Sequence, residues 1–404
     1  MKKSFEITLI LIITFTTVIH LLHYILETPT LDYFNSNTLI NYSQGFVRRG
    51  LSGELILLLS NLLGANPLYI IKALNLILVA SFLLYFVKSI VKYHLSFYFF
   101  VFPFVLPFLI LDDIINFKDF FTLILFIFLV KTAVSSKVHG VLQLVLLNII
   151  SIVAILNHEM SFFIFIPALL MIKYFINASR KKNVAQLFFL LPSFIVLLLC
   201  IHYSGTVTQA NDILTSYKNL PNNHLKIDQL SDKATFLLPK FFTTITWNGF
   251  SRGITSIFYI AQILILLTFF DKIKTSFKRY QNTLDPSVLV MAYLVLLCCF
   301  LPIFFIAYDW HRFLFLILMS TLIIGIEMHK QEIKSNSLPH FALLPMQLLK
   351  KLISYFIVPE KSLLLIIGFF GLIPHVAMGN TSYQFSNLYL IILNYATKVT
   401  SVLF

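Results

Sequence analysis

Asn41-Tyr-Ser-Gln-Gly-Phe-Val-Arg-Arg-Gly50, continued by Leu-Ser-Gly-Glu54, sets two adjacent arginines between glycines just after the first long apolar run of the chain. Paired guanidinium groups beside a bilayer are costly unless something anionic holds them. The stretch therefore reads as the lip of a site at the outer membrane face. The next residues, 51–64, are apolar but too short for a span of about twenty residues. They are expected to form a re-entrant or interfacial helix after a first polar loop at 26–50.

The rest of the chain agrees with a membrane setting. Of 404 residues, 58% are hydrophobic and 12% charged, and the mean hydropathy is +0.88. Soluble domains carry about one quarter charged residues. Long apolar runs exclude a β-barrel, whose strands alternate in shorter segments. A net charge of +13 would suggest nucleic acid in a soluble protein. Here it fits basic cytoplasmic loops instead, and no nucleic-acid partner is expected. Cys200, Cys298 and Cys299 lie in apolar runs without metal-ligand spacing. Met1-Lys-Lys-Ser opens a span with no small-residue cleavage site after it, which reads as a retained first helix.

The expected fold is an all-α polytopic membrane protein of about eleven or twelve transmembrane helices. It forms a single integral membrane domain over 1–404. The spans are placed at 5–25, 67–87, 95–111, 119–134, 139–157, 161–178, 184–202, 254–270, 287–307, 312–328 and 362–378. A final apolar segment runs 387–404, and a second long polar loop lies at 203–252. Within that loop, Leu230 to Phe242 could form an amphipathic helix. With the N-terminus in the cytoplasm, 19 of the 30 basic residues fall inside. The positive-inside rule favours that orientation.

Under this topology the unusual polar groups all face outward: Glu27 and Asp32, Arg48 and Arg49, Asp112 and Asp113, Lys118 and Asp119, His158 and Glu159, and Asp309, His311 and Arg312. The arginines suit bidentate bonding to phosphate, and the helix from Leu51 would add free amide groups to the same anion. Asp112, Asp113 or Glu159 could bind a divalent metal such as Mg or Mn, or take a proton. Lys118 could equally pair with one of the two aspartates, and Asp119 has an ordinary place in the first turn of a helix. His158-Glu159 lacks the second histidine of a zinc-protease motif. Asp309 and Arg312 share a helical face, and Trp310 and Tyr308 suit either the headgroup level or stacking on a sugar.

These features resemble the GT-C superfamily of multi-spanning glycosyltransferases. The resemblance implies a sugar donor on a polyprenyl phosphate at the outer face, and an essential acidic residue in the first outer loop. Asp32 matches that place best, with Glu27 as the other candidate. The His158-Glu159 and Asp309-Trp-His-Arg312 turns look like the family's further outer turns. The chain is also similar to bacterial O-antigen and capsule polymerases, whose Arg-x15-Gly spacing Arg48 and Gly64 reproduce.

The expectation is thus an enzyme of the bacterial inner membrane, with a lipid-linked sugar donor and a glycan or glycolipid acceptor as its partners among the membrane lipids. Arg48, Arg49 and Arg312 would hold the donor phosphate, and Asp32 or Asp309 would take the acceptor proton. The rivals are an O-antigen or capsule polymerase, a lipid-linked oligosaccharide flippase or other transporter, and a non-catalytic assembly subunit. A transporter should place charges near the middles of its spans, which here are nearly free of them.

Overall fold

The structure is a computed structural model, and it describes residues 24–26, 28–29, 33–92, 117–135, 140–176, 190–217, 220, 286–306, 310–330, 375–378 and 383–386. These residues are mostly helical. The helices are α1 (Tyr33–Thr38), α2 (Gly50–Leu63), α3 (Pro67–Lys92), α4 (Phe117–Val134), α5 (Gly140–Asn157), α6 (Phe162–Ile176), α7 (Leu191–His202), α8 (Val207–Thr215), α9 (Pro286–Ile306) and α10 (Trp310–Lys330). A short 3-10 turn, Glu159–Ser161, joins α5 to α6.

Two short strands, β1 (His375–Met378) and β2 (Tyr383–Ser386), pair antiparallel. They correct the all-α expectation locally, because β1 occupies the last four residues assigned to a span at 362–378. Gly379-Asn380-Thr381-Ser382 between the strands is turn-forming in composition, which suits a hairpin better than a helix end. The expected spans at 95–111, 254–270 and 387–404, the span at 5–25 up to residue 23, and the amphipathic segment from Leu230 to Phe242 lie outside the described residues.

α4 is the central helix. It packs on α3, α5, α6 and α10, and two-thirds of its positions are buried, including Phe120, Leu123, Phe126, Leu129 and Val130. Such all-round burial requires a helix that is apolar on every side. The sequence provides this by confining charge to Lys118 and Asp119 in the first turn and Lys131 in the last. An 18-residue helix is about 27 Å long, so its charged ends are widely separated.

Polar contacts show which helix ends lie together. At one end Tyr85 donates to Glu327 at 2.6 Å, Lys330 bonds the same carboxylate and Ser89, and Lys131 lies over the Tyr85 ring. Lys173 donates to Gln143, which donates to the Thr132 carbonyl. α3, α4, α6 and α10 therefore end where α5 begins, and the lysines Lys131, Lys173 and Lys330 gather at this end. At the other end Phe163 of α6 meets Phe300 of α9, which meets Phe313 in the first turn of α10.

α2 has its usual polarity reversed. Gly50, Ser52, Gly53, Ile56 and Ser60 are buried, whereas Leu55, Leu58, Leu62 and Leu63 are exposed, Leu62 by 76%. Small and hydroxylated residues inside with leucines outside is the pattern of a helix whose surroundings are apolar. Two helical stretches are long and apolar enough to cross a membrane, Pro67–Ser89 and Gly140–Asn157, with hydropathies of 2.3 and 2.2.

Candidate functional site

The loop before α2 is fixed from several sides. The Asn41 side-chain oxygen accepts from the Ser43 amide at 3.0 Å, closing a local turn. The Asn41 side-chain amide donates to Ser216 at 2.9 Å. Glu54 accepts from the Tyr42 amide at 2.9 Å, and the Arg48 amide donates to the Tyr203 carbonyl at 3.0 Å. Tyr217 places its hydroxyl 2.9 Å from the carbonyl oxygens of both Leu39 and Gly53, so one proton is shared between two acceptors. Gly53 permits this closeness: a Cβ there would lie 1.9 Å from the Ile40 carbonyl oxygen.

Arg49 precedes α2 with φ 64° and ψ 15°, a left-handed conformation that costs a non-glycine residue roughly 1 kcal/mol. It turns the guanidinium back onto the α5–α6 turn. Arg49 Nε lies 3.0 and 2.8 Å from the two oxygens of Glu159, and a terminal nitrogen of Arg49 also bonds Oε1. Arg48 approaches that oxygen to 3.9 Å. All three side chains are at least 89% buried. Burial alone would push the Glu159 carboxyl up. The Arg49 charge, with His158 when protonated, the Arg49 hydrogen bonds and Arg48, outweighs it and holds the group well below its usual value. When His158 is neutral, its Nδ1 accepts from the Met160 amide at 3.3 Å and the single ring proton sits on Nε2.

Lys118 ties the loop to α4. Its ammonium donates to the Asn37 carbonyl at 2.9 Å, the Asn37 side-chain oxygen at 3.2 Å and the Arg49 carbonyl at 3.3 Å. The Asn157 side-chain amide reaches the Lys118 carbonyl at 3.2 Å and Thr122 at 3.4 Å, and Thr122 in turn meets Ser161. Asp119 is buried beside Lys118 in the same turn.

The structure thus brings together Arg48, Arg49, Lys118, Asp119, His158 and Glu159, from three separate stretches of sequence. His311 and Arg312 lie in the first turn of α10, at the end of the bundle where Phe313 and Phe163 meet through Phe300. Asp32, Asp112, Asp113 and Asp309 lie outside the described residues, as does Glu27. Among the described residues, Lys118 bonds Asn37 and the Arg49 carbonyl. Gly64, the second half of the Arg-x15-Gly spacing, has a local role. It closes α2 at φ 61° and donates its amide to the Ser60 carbonyl, as a left-handed residue commonly does at a helix end.

Sequence reasoning passed over Asn37, Thr122, Ser161 and Tyr42, neutral residues without a distinguishing local pattern. Burial holds the Tyr42 phenol well above its ordinary value, with Cys200 and Glu54 adding to the shift. The hydroxyl is therefore a neutral donor. Among the described residues, no three or more His, Cys, Asp or Glu side chains form a group able to hold a metal.

Residues 5–250 match the family described as "Uncharacterised membrane protein Rv1490". The chain belongs to this family. Its membership makes it a membrane protein, in keeping with the apolar outer face of α2 and the two span-length helices. No curated protein and no solved structure matches the chain.

Proposed function

We propose that this family member is a polytopic glycosyltransferase of the bacterial inner membrane that takes a sugar from a polyprenyl-phosphate donor at the outer face. The observation that carries the reading is the convergence of Arg48, Arg49 and Lys118 on one buried end of the bundle. Among the described residues, these three cations lie with the carboxylates Asp119 and Glu159 at that end, a setting in which an anionic phosphate can be held by fixed guanidinium groups. Buried polar atoms support the same reading. Ser52 Oγ, the Tyr42 hydroxyl and Asn157 Oδ1 have no hydrogen-bond partner among the described residues. Orphans of this kind cost about 1–3 kcal/mol each, and a bound polar ligand or water can supply the partner.

In the proposed reaction the acceptor oxygen bonds to the anomeric carbon as the bond from that carbon to the phosphate oxygen breaks. The acceptor proton passes to Asp32 or Asp309, and the lipid phosphate leaves. Charge develops on the leaving phosphate, so fixed guanidinium groups act where they matter most. Glu159 occupies Arg49 until the donor arrives, and the lipid phosphate, which gains negative charge as its bond to the sugar breaks, competes for the guanidinium. In α4, α6 and α10 the charges sit near the helix ends rather than at their middles, which supports an end-on site over a transport path.

The test is to replace Arg48 and Asp32 singly with alanine and measure sugar transfer from lipid-phosphate donors in membrane extracts. Loss of transfer in both variants, with protein levels kept, is expected. Full activity in both would remove the assignment.

A further inference from the structure

We propose that Lys118 is a positioning residue, whose ammonium holds the Arg49 backbone so that the guanidinium meets Glu159. The inference deepens the phosphate-site reading but its geometry does not depend on the reaction. Lys118 is fully buried, an unusual place for an ammonium group. Among the described residues, its ammonium reaches three oxygens of the segment leading into α2: two of Asn37, near the end of α1, and the carbonyl of Arg49. That carbonyl belongs to the residue with φ 64°, so the bond falls where the backbone needs support from its surroundings.

The same residue faces the other partner. The Lys118 carbonyl accepts from Asn157, two positions before Glu159. One residue in the first turn of α4 therefore fixes both the segment that presents Arg49 and the turn that presents Glu159. Lys118 is not within the bonded Arg49–Glu159 pair, so its effect passes through backbone placement. An apolar side chain of similar length should leave the helix in place and release the loop.

The experiment is hydrogen exchange on the full chain in lipid nanodiscs, comparing the unaltered protein with Lys118→Met, Glu159→Gln and the double variant. Lys118→Met is expected to raise exchange roughly tenfold in peptides covering 37–50 and 157–161 and to leave 320–330 unchanged. Glu159→Gln should add little in the Lys118→Met background, because the pair is already loosened. Unchanged exchange at 37–50 would overturn the proposal. So would additive effects, or a rise that spreads to 320–330, since either marks a residue needed only for general folding. Sugar transfer is assayed on the same unaltered protein. If the exchange pattern holds and no transfer from lipid-phosphate donors is seen, the positioning role stands and the glycosyltransferase reading falls.

Discussion

Arg49 grips Glu159 through two forked bonds of 3.0 and 2.8 Å from one nitrogen, across 110 residues of sequence. The pair joins the loop before α2 to the α5–α6 turn at the end of the bundle where the cations collect. Because both groups are buried, removing one leaves the other charged in a poor solvent. Glu159→Ala is therefore expected to destabilise the protein by about 3–5 kcal/mol. The double variant Arg49→Met, Glu159→Gln should recover part of that loss. Unfolding in a mild detergent, followed by thermal midpoint, measures both.

The same pair gives a pH signature. Glu159 has a lower proton affinity in the folded protein than its ordinary value of 4.5. The unfolded chain therefore binds the proton more readily, and stability falls as pH drops. This contribution is complete above the ordinary value and is lost as pH falls through the folded value. Melting midpoints should show no Glu159-dependent change from neutrality down to about pH 5, then a decline. Glu159→Gln should remove that part of the decline.

Gly53 within α2 and Gly64, which follows its last residue, should differ sharply. A Cβ at Gly53 would overlap the Ile40 carbonyl, whereas Gly64 has nothing within 4 Å and only its φ of +61° to satisfy. Gly53→Ala is expected to cost about 3 kcal/mol or more through overpacking. Gly64→Ala should cost about 1 kcal/mol of backbone strain. Folded yield in membranes and thermal midpoint report the difference.

At the opposite end, Tyr85 donates to the buried Glu327 carboxylate at 2.6 Å. Tyr85→Phe removes one hydrogen bond to a charged group and should cost about 1.5–3 kcal/mol. The far ends are separate, so this loss should add to that of Glu159→Ala rather than couple with it. A double-mutant cycle on thermal midpoints checks the sum.

Much of the helical layout was legible because apolar runs of span length leave few alternatives. The segments at 67–87, 119–134, 139–157, 287–307 and 312–328 differ from α3, α4, α5, α9 and α10 by a few residues at their ends. The short helix after Gly50 was legible from length alone. Arg49, Lys118 and Glu159 stood out singly as charges beside apolar runs. That Glu159 neutralises Arg49 was not readable, because no local spacing links residues 110 apart. Asn37 gave no signal, since an asparagine near a helix end is commonplace. The β1–β2 hairpin was hidden by apolar residues that continue the preceding run into His375–Met378.

In the proposed glycosyltransferase the arginine end of the bundle faces outward, where a lipid-phosphate sugar can reach it. The most direct measurement is labelling of intact cells with a membrane-impermeant maleimide, in a background without Cys200, Cys298 and Cys299. Ser43→Cys lies on the exposed part of the loop before Arg48, and Lys131→Cys at an exposed position in the otherwise mostly buried last turn of α4. Labelling of position 43, with position 131 reacting only after the cells are opened, is the expected result. Labelling of position 131 in intact cells while position 43 stays protected would contradict the account.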